Sequence, residues 1–149
     1  MTAENYLAAV SGATGGAAKA AKNSAAVIQR SIDSQKITDV SITAAMVELV
    51  RVASEMDEID SETRTAVRLV IASPSNVKSA SLLAAGKLRQ CGQKASASTG
   101  RVESAYHSGS SAIVTDASLA NVMRAGMTIV YAATEAARQL DVVAGKIKV

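Results

Sequence analysis

The stretch from Leu119 to Gly145 reads LANVMRAGMTIVYAATEAARQLDVVAG, and it decides the fold that the sequence predicts. Apolar and small residues recur in it at alternating steps of three and four positions, which is the spacing of one face of an α-helix. The pattern runs unbroken, so we expect one long helix over 115–144 that Thr115 or Asp116 caps. We call this face the small-residue seam, and it consists of Leu119, Val122, Gly126, Ile129, Ala133, Ala136, Leu140 and Val143.

The small-residue seam is a packing surface, because Gly126, Ala133 and Ala136 let a neighbouring backbone come close enough for many dispersion contacts. A second line of the same helix, from Met123 to Ala137, widens the apolar face, so more than one neighbour is needed. Two interpretations stay open. The helix is either the interior of a monomeric bundle or a face shared between subunits.

The second helix is predicted over 38–57, where apolar residues again repeat at steps of four and three and Thr38 or Asp39 provides a cap. A separate short helix is expected from Ser61 to Ala72, because the residue before Pro74 is pushed out of the helical region. The inward face of the second helix is Ile42, Met46, Leu49, Ala53 and Met56.

A fourth helix is predicted over 75–98 with Ser75 or Asn76 as its cap, and Gly100 to Ser111 is expected to be a linker or a distorted helix. The inward face of this helix is Val77, Ser81, Ala84, Leu88, Cys91 and Ala95.

The first segment, from Ala3 to Ser31, carries its own apolar stripe but is interrupted by GATGG at 12–16. A glycine inside a helix costs about 0.5 to 1 kcal/mol relative to alanine. We therefore expect this segment to be kinked, frayed or ordered by contact with another surface. Residues 1–33 are a candidate flexible or assembly-ordered segment of a single helical domain that spans 1–149.

Composition supports an all-α bundle of about five helices with long amphipathic helices. Apolar residues make up 48% of the 149, yet Phe and Trp are absent. The core must therefore be rich in alanine and gains its buried area by close backbone approach or by burial against other copies. No segment has the features of a secretory signal or of a membrane span, so the chain is expected in the cytoplasm or exported by a route independent of a signal peptide.

The formal net charge is +3, but the charges are segregated. Residues 34–60 carry six acidic and two basic residues, whereas residues 75–101 carry five basic residues and no acidic one. The acidic face is Glu48, Glu55, Asp57, Glu58 and Asp60, and the basic face is Lys78, Lys87, Arg89, Lys94 and Arg101.

Candidate catalytic residues are few. Cys91 lies on the inward stripe of its helix, where a thiol behaves as a small hydrophobic group, although nearby cations could activate it if it were exposed. His107 is the only histidine, and a Ser–His arrangement with Ser108 or Ser110 lacks a nucleophile-elbow motif. We expect a surface or interhelix histidine and no enzyme activity.

Binding motifs for small ligands are equally weak. The acidic run EMDEID at 55–60 lacks the alternating ligands and the glycine of a calcium loop, and one histidine with one cysteine cannot build a usual zinc site. GATGGAAKAAKNS at 12–24 does not match a phosphate-binding loop. The sequence thus predicts no metal, no cofactor and no small-molecule substrate.

Macromolecular partners are left as the main alternatives. The basic helix lacks aromatic residues for stacking on nucleic-acid bases, so nucleic acid is disfavoured. A membrane-interacting or pore-forming role stays open, since the first and last segments could expose apolar faces to lipid, although they lack the Trp and Phe typical of interfacial helices.

We therefore predict a non-enzymatic structural or interaction subunit that forms a homo-oligomer or filament, or binds a helical protein partner. The small-residue seam, with Met46, Leu49 and Met56, is expected to supply hydrophobic association. The acidic face of one copy meeting the basic face of the next is expected to set register. In composition the chain is similar to alanine-, serine- and valine-rich helical rod and filament proteins, including subunits of bacterial secretion and phage-like assemblies.

Overall fold

Four long helices form a bundle in the computed structural model, which describes residues 3–34, 37, 39–69, 73–107 and 116–148. They are α1 (Ala3–Asp33), α2 (Val40–Leu69), α3 (Pro74–His107) and α4 (Asp116–Lys146). Neighbours along the chain pack side by side, and α4 closes the ring against α1. The described residues contain no β-strand. The all-α prediction is confirmed, but the described residues form four helices where about five were expected.

The prediction of a separate helix from Ser61 to Ala72 was wrong, because α2 continues through this stretch to Leu69. Beyond Met56, the buried positions Ile59, Thr63 and Val67 keep the helical spacing, so the inward face of α2 has no gap. Residues 70–72 lie outside the described part of the chain.

The start of α2 was predicted correctly. The Asp39 carboxylate accepts hydrogen bonds from the backbone N–H groups of Ser41 at 2.8 Å and Ile42 at 3.2 Å, which satisfies two of the donors that a helix start leaves open. Thr38, the alternative cap, lies outside the described residues.

The start of α3 differs from the prediction of a cap at Ser75 or Asn76. The helix begins at Pro74, and the Ser73 carbonyl accepts from the backbone N–H groups of Asn76 and Val77. Proline suits the first helical position because its fixed φ is helical and its missing N–H would have no partner there. Pro74 thus opens a helix here.

The end of α3 also differs, since the helix runs on to His107 through the stretch expected to be a linker or a distorted helix. Residues 108–115, which include Thr115, lie outside the described part. Asp116 is the first residue of α4.

The first segment is one continuous helix through Gly12–Gly16. Val10, Ala17 and Ile28 of α1 are buried in the shared core. At the end of the bundle, the Tyr6 hydroxyl donates to the Lys146 carbonyl at 2.9 Å, which satisfies one of the acceptors left open at the end of α4.

The core is built from aliphatic side chains and methionines. The predicted inward faces of α2 and α3 are buried at every position. The largest fully buried side chains are Ile28, Met46, Leu49, Met56, Leu88, Leu119, Ile129, Leu140 and Ile147.

Helices α3 and α4 pack through two glycines. A Cβ on Gly126 would overlap the Thr99 hydroxyl oxygen, and a Cβ on Gly92 would lie 3.1 Å from the Thr134 hydroxyl oxygen. Small residues therefore set the spacing of these two helices, as the sequence predicts for Gly126.

Candidate interaction surface

The small-residue seam lies inside the bundle of a single chain. Helix α4 has α1 on one side and α3 on the other, which meets the expectation of more than one neighbour. Residues packed in this way have no free surface for a second copy. All eight seam residues are buried, namely Leu119, Val122, Gly126, Ile129, Ala133, Ala136, Leu140 and Val143.

The acidic and basic faces lie on adjacent helices of the same chain, α2 and α3. Lys94 Nζ lies 3.2 Å from Glu55 Oε2, and Lys87 Nζ lies 3.1 Å from Glu62 Oε2. Arg89 is paired with Asp141 of α4. Part of the charge pairing that we expected between copies therefore takes place within one chain.

Two further carboxylates of the acidic face, Glu48 and Asp60, form ion pairs within α2. Glu48 pairs with Arg51 one turn along α2. Asp60 Oδ1 accepts from Arg64 Nε at 2.9 Å and from the Thr14 hydroxyl of α1 at 2.7 Å, so this carboxylate joins α1 to α2.

Four charges of the predicted faces have no ion pair among the described residues: Asp57, Glu58, Lys78 and Arg101. Asp57, Glu58 and Arg101 are exposed. These charges are available to a partner.

A cleft of about 800 Å³ opens between the first half of α2 and the second half of α3. Val40, Ala44 and Val47 form its α2 wall, while Arg51 and Arg101 are among the cations that line it. Val40 is 82% exposed and Val47 is 40% exposed, so two branched apolar side chains face water at this cleft.

The cleft is one end of a longer groove between α2 and α3. In the middle, the groove is lined by charged residues that include Glu55, Glu58 and Lys94. At the far end it is lined by Ala66, Ala80 and Leu83, and Leu83 is 61% exposed. We call this surface the α2–α3 face. It has charged residues along its whole length and exposed apolar side chains near both ends.

Cys91 is buried beside this groove, as its inward position predicts. Burial raises the pKa of the Cys91 thiol to about 11, helped by the nearby Glu55 carboxylate and opposed by Lys94. The thiol donates to Glu55 Oε2 at 3.8 Å. The thiolate is the nucleophilic form of cysteine, and this raised pKa disfavours the thiolate at neutral pH.

His107 lies at the exposed end of α3, as predicted. Its Nε2 lies 3.7 Å from Glu103 Oε1, and its ring contacts Tyr106 edge to face. Ser108 and Ser110, the two serines considered as partners of His107, lie outside the described residues.

The two remaining motifs lie within helices. The acidic run at 55–60 lies within α2, and no group of three or more His, Cys, Asp or Glu side chains in the described ranges is placed to hold a metal ion. The glycine-rich stretch 12–24 lies within α1, where a helical backbone directs its N–H groups along the helix and cannot wrap a phosphate.

Within residues 3–34, 39–69, 73–107 and 116–148, no helix combines the length and the hydrophobicity that crossing a membrane requires. Comparison of the chain with protein-family models, with curated proteins and with solved structures finds no match.

Proposed function

We propose that this protein is a non-enzymatic structural subunit that associates with copies of itself through the α2–α3 face. The observation that carries the proposal is the exposure of Val40, Val47 and Leu83 along one groove. Single exposed apolar side chains are normal on protein surfaces, but Val40 and Val47 line one cleft together, and contiguous apolar surface is typical of interaction sites.

A second copy is the occupant that charge favours. The α2 wall of the groove carries the carboxylates Glu55 and Glu58, whereas its α3 wall carries the cations Lys94 and Arg101. One molecule therefore carries both halves of a complementary pair, and a copy of it supplies the matching charges.

An elongated partner fits this surface better than a small molecule. Small-molecule sites are concave and cover most of the ligand, whereas this groove is open to solvent and runs between two helix axes. Helix-lined grooves of this kind accept an amphipathic helix, and every helix of this chain has charged or polar outer positions that can contribute to such a contact.

Sedimentation velocity over a range of protein concentrations, at low and at high ionic strength, tests the proposal. We expect a concentration-dependent dimer or larger species that is weakened by salt, because the exposed charges of the face are screened. A strict monomer at every concentration refutes the proposal.

Two adjacent leucines provide a matched control. Leu83 lines the groove and is 61% exposed, while Leu82 is 47% exposed and does not line it. We expect Leu83→Ser to weaken association and Leu82→Ser to leave it unchanged. Equal effects of the two substitutions would contradict the choice of face.

A further inference from the structure

We infer that two copies pack α2–α3 face against α2–α3 face about a two-fold axis that runs along the groove. In this arrangement the basic α3 of each copy lies on the acidic α2 of the other. The inference rests on the proposed self-association, and adds to it the orientation of the two copies and the residues that meet.

The ion pairs within one chain define which residues of α2 and α3 lie level. Lys87 pairs with Glu62 and Lys94 pairs with Glu55, so one step of seven residues along α3 matches one step of seven along α2. The next step brings Arg101 level with Glu48, and both line the same cleft.

A rotation about an axis along the groove exchanges α2 and α3 but keeps every residue at its height. Arg101 of one copy then faces Glu48 of the second copy, and Lys94 faces Glu55 of the second copy. The charge order that holds α2 to α3 inside one chain is thus repeated between chains.

The unpaired charges of the groove find partners in this orientation. Glu58 has no ion pair among the described residues, and its height lies between those of Lys87 and Lys94. Arg101 is likewise without an ion pair in the described chain. The two-fold arrangement places Glu58 beside two lysines of the second copy, and it places Arg101 beside the Glu48 carboxylate, which Arg101 then shares with Arg51 of that copy.

The opposite orientation is unfavourable. A two-fold axis across the groove would place α3 on α3, so that Arg101 of one copy would lie near Lys87 of the other. Like charges at close range cost free energy and suppress such pairings.

The directions of the helices favour the same orientation of the two copies as the charges do. Helices α2 and α3 run in opposite directions, so α3 lies antiparallel to the α2 of the second copy and the four helices form a square. The two grooves then face each other across the centre of that square. Val40 and Val47 at one end, and Leu83 at the other, become interior side chains of an intermolecular bundle.

The face is large enough for a specific contact. The 30 residues of α2 span about 45 Å at 1.5 Å per residue, and two helices 8 to 10 Å apart are about 18 Å wide, which gives roughly 800 Å² per partner. The charged centre must lose water on association, so the contact is modest in affinity and sensitive to salt.

Charge reversal tests the arrangement. Arg101→Glu and Glu48→Arg should each weaken self-association, on the order of tenfold, because each creates two like-charge contacts in the symmetric dimer. A mixture of the two variants should recover the wild-type association constant, since every contact in the mixed dimer joins opposite charges. Lys22→Glu, which reverses an exposed cation of α1 outside the groove, is the control and should have no comparable effect.

A cross-linking experiment tests the orientation independently. A thiol-directed cross-linker that spans about 10 Å should join two copies of Leu83→Cys, because the two-fold axis keeps both copies of residue 83 at the same height on diagonally opposite helices of the square. Leu82→Cys should not. Circular dichroism of each variant confirms that it is folded.

The outcomes separate the two proposals. A monomer at all concentrations overturns self-association and this arrangement together. A dimer that tolerates Arg101→Glu and Glu48→Arg, or that forms no cross-link through Leu83→Cys, leaves self-association standing and overturns the two-fold arrangement.

Discussion

Replacing Gly126 with alanine should destabilise the folded monomer, because the added methyl group would occupy space already filled by α3. A Cβ at this position would overlap the Thr99 hydroxyl oxygen and would lie 3.2 Å from Thr99 Cγ2 and 3.3 Å from Leu49 Cδ1. Thr99 is buried, so its side chain has little room to rotate away. Either the side chain or the helix must move.

The size of the effect follows from two opposing contributions. Overpacking a buried site costs about 1 to 3 kcal/mol, while replacing a helical glycine by alanine recovers about 0.5 to 1 kcal/mol. We expect a net loss of about 1 to 2 kcal/mol in the free energy of unfolding. For a chain of this size, that corresponds to a fall in Tm of roughly 2 to 8 °C.

Chemical denaturation and thermal melting of Gly126→Ala measure this loss. Gly100→Ala and Gly86→Ala are the controls, because both glycines lie in α3 with nothing within 4 Å of an added Cβ, and both should gain stability. The double variant Thr99→Ala with Gly126→Ala should be more stable than the two single effects predict when added, because the overlapping hydroxyl is gone. If Gly126→Ala is stabilised as much as Gly100→Ala, the close approach of α3 and α4 is wrong.

Four further predictions concern the core, the start of α2 and the thiol. Leu140→Ala should cost about 2 to 5 kcal/mol of unfolding free energy, whereas Val142→Ala, at an exposed position of the same helix, should cost far less; denaturant titration of both variants checks the inward face of α4. Asp39→Ala should cost about 1 kcal/mol and Asp39→Asn much less, since the amide oxygen can still accept from the backbone; thermal melting distinguishes them. Alkylation of Cys91 should be slow in the native protein at pH 8 and fast in denaturant, and rapid native labelling at that pH would contradict its burial. Folding raises the pKa of the Cys91 thiol from an ordinary value near 9 to about 11. The thiol's contribution to stability is therefore present below about pH 9 and is lost as the pH rises towards 11. Equilibrium unfolding of the wild type and of Cys91→Ala over this pH range measures the contribution.

The inward faces of the helices could be predicted from the sequence because side-chain spacing reports which side of a helix is buried. Met46, Leu49 and Met56 of α2 and Leu88 of α3 are all buried at the predicted positions. The Asp39 cap was predictable for the same kind of local reason, since a short acceptor side chain beside a helix start needs no tertiary partner.

The number of helices was not predictable from local signals, because tertiary contacts decide whether a weak stretch stays helical. Asp60 and Ser61 resemble the start of a new helix, yet the Asp60 carboxylate is held by Thr14 of α1 and by Arg64. The glycines of α1 gave a similar false signal of interruption. Gly12 and Gly16 are exposed, with nothing within 4 Å of an added Cβ, while the buried positions around them hold the helix against its neighbours.

The location of the candidate site was beyond the sequence for a different reason. Spacing predicts that the small-residue seam is covered, but it does not say whether the cover belongs to the same chain. In the structure, α1 and α3 supply it, and the seam residues from Leu119 to Val143 are interior. The α2–α3 groove could not be predicted from local spacing, because it combines residues far apart in the chain, such as Val47 and Arg101.

The proposed dimer gives a physical reason for the segregation of acidic residues on α2 and basic residues on α3. Adjacent acidic and basic helices stabilise the monomer only where side chains meet across the groove, as Lys94 and Glu55 do, and exposed pairs of this kind contribute at most about 1 kcal/mol. Helix α2 carries six acidic residues against three arginines, and α3 carries five lysines and arginines against one glutamate, so the excess charge of each helix is larger than those few pairs require. A two-fold axis along the groove places the acidic α2 of each copy on the basic α3 of the other. The segregation of charge, which contributes little to the stability of one chain, therefore favours a single orientation of two chains. Self-association that strengthens at low salt and depends on Arg101 and Glu48 follows from that arrangement, and an apolar groove without ordered charge would show neither dependence.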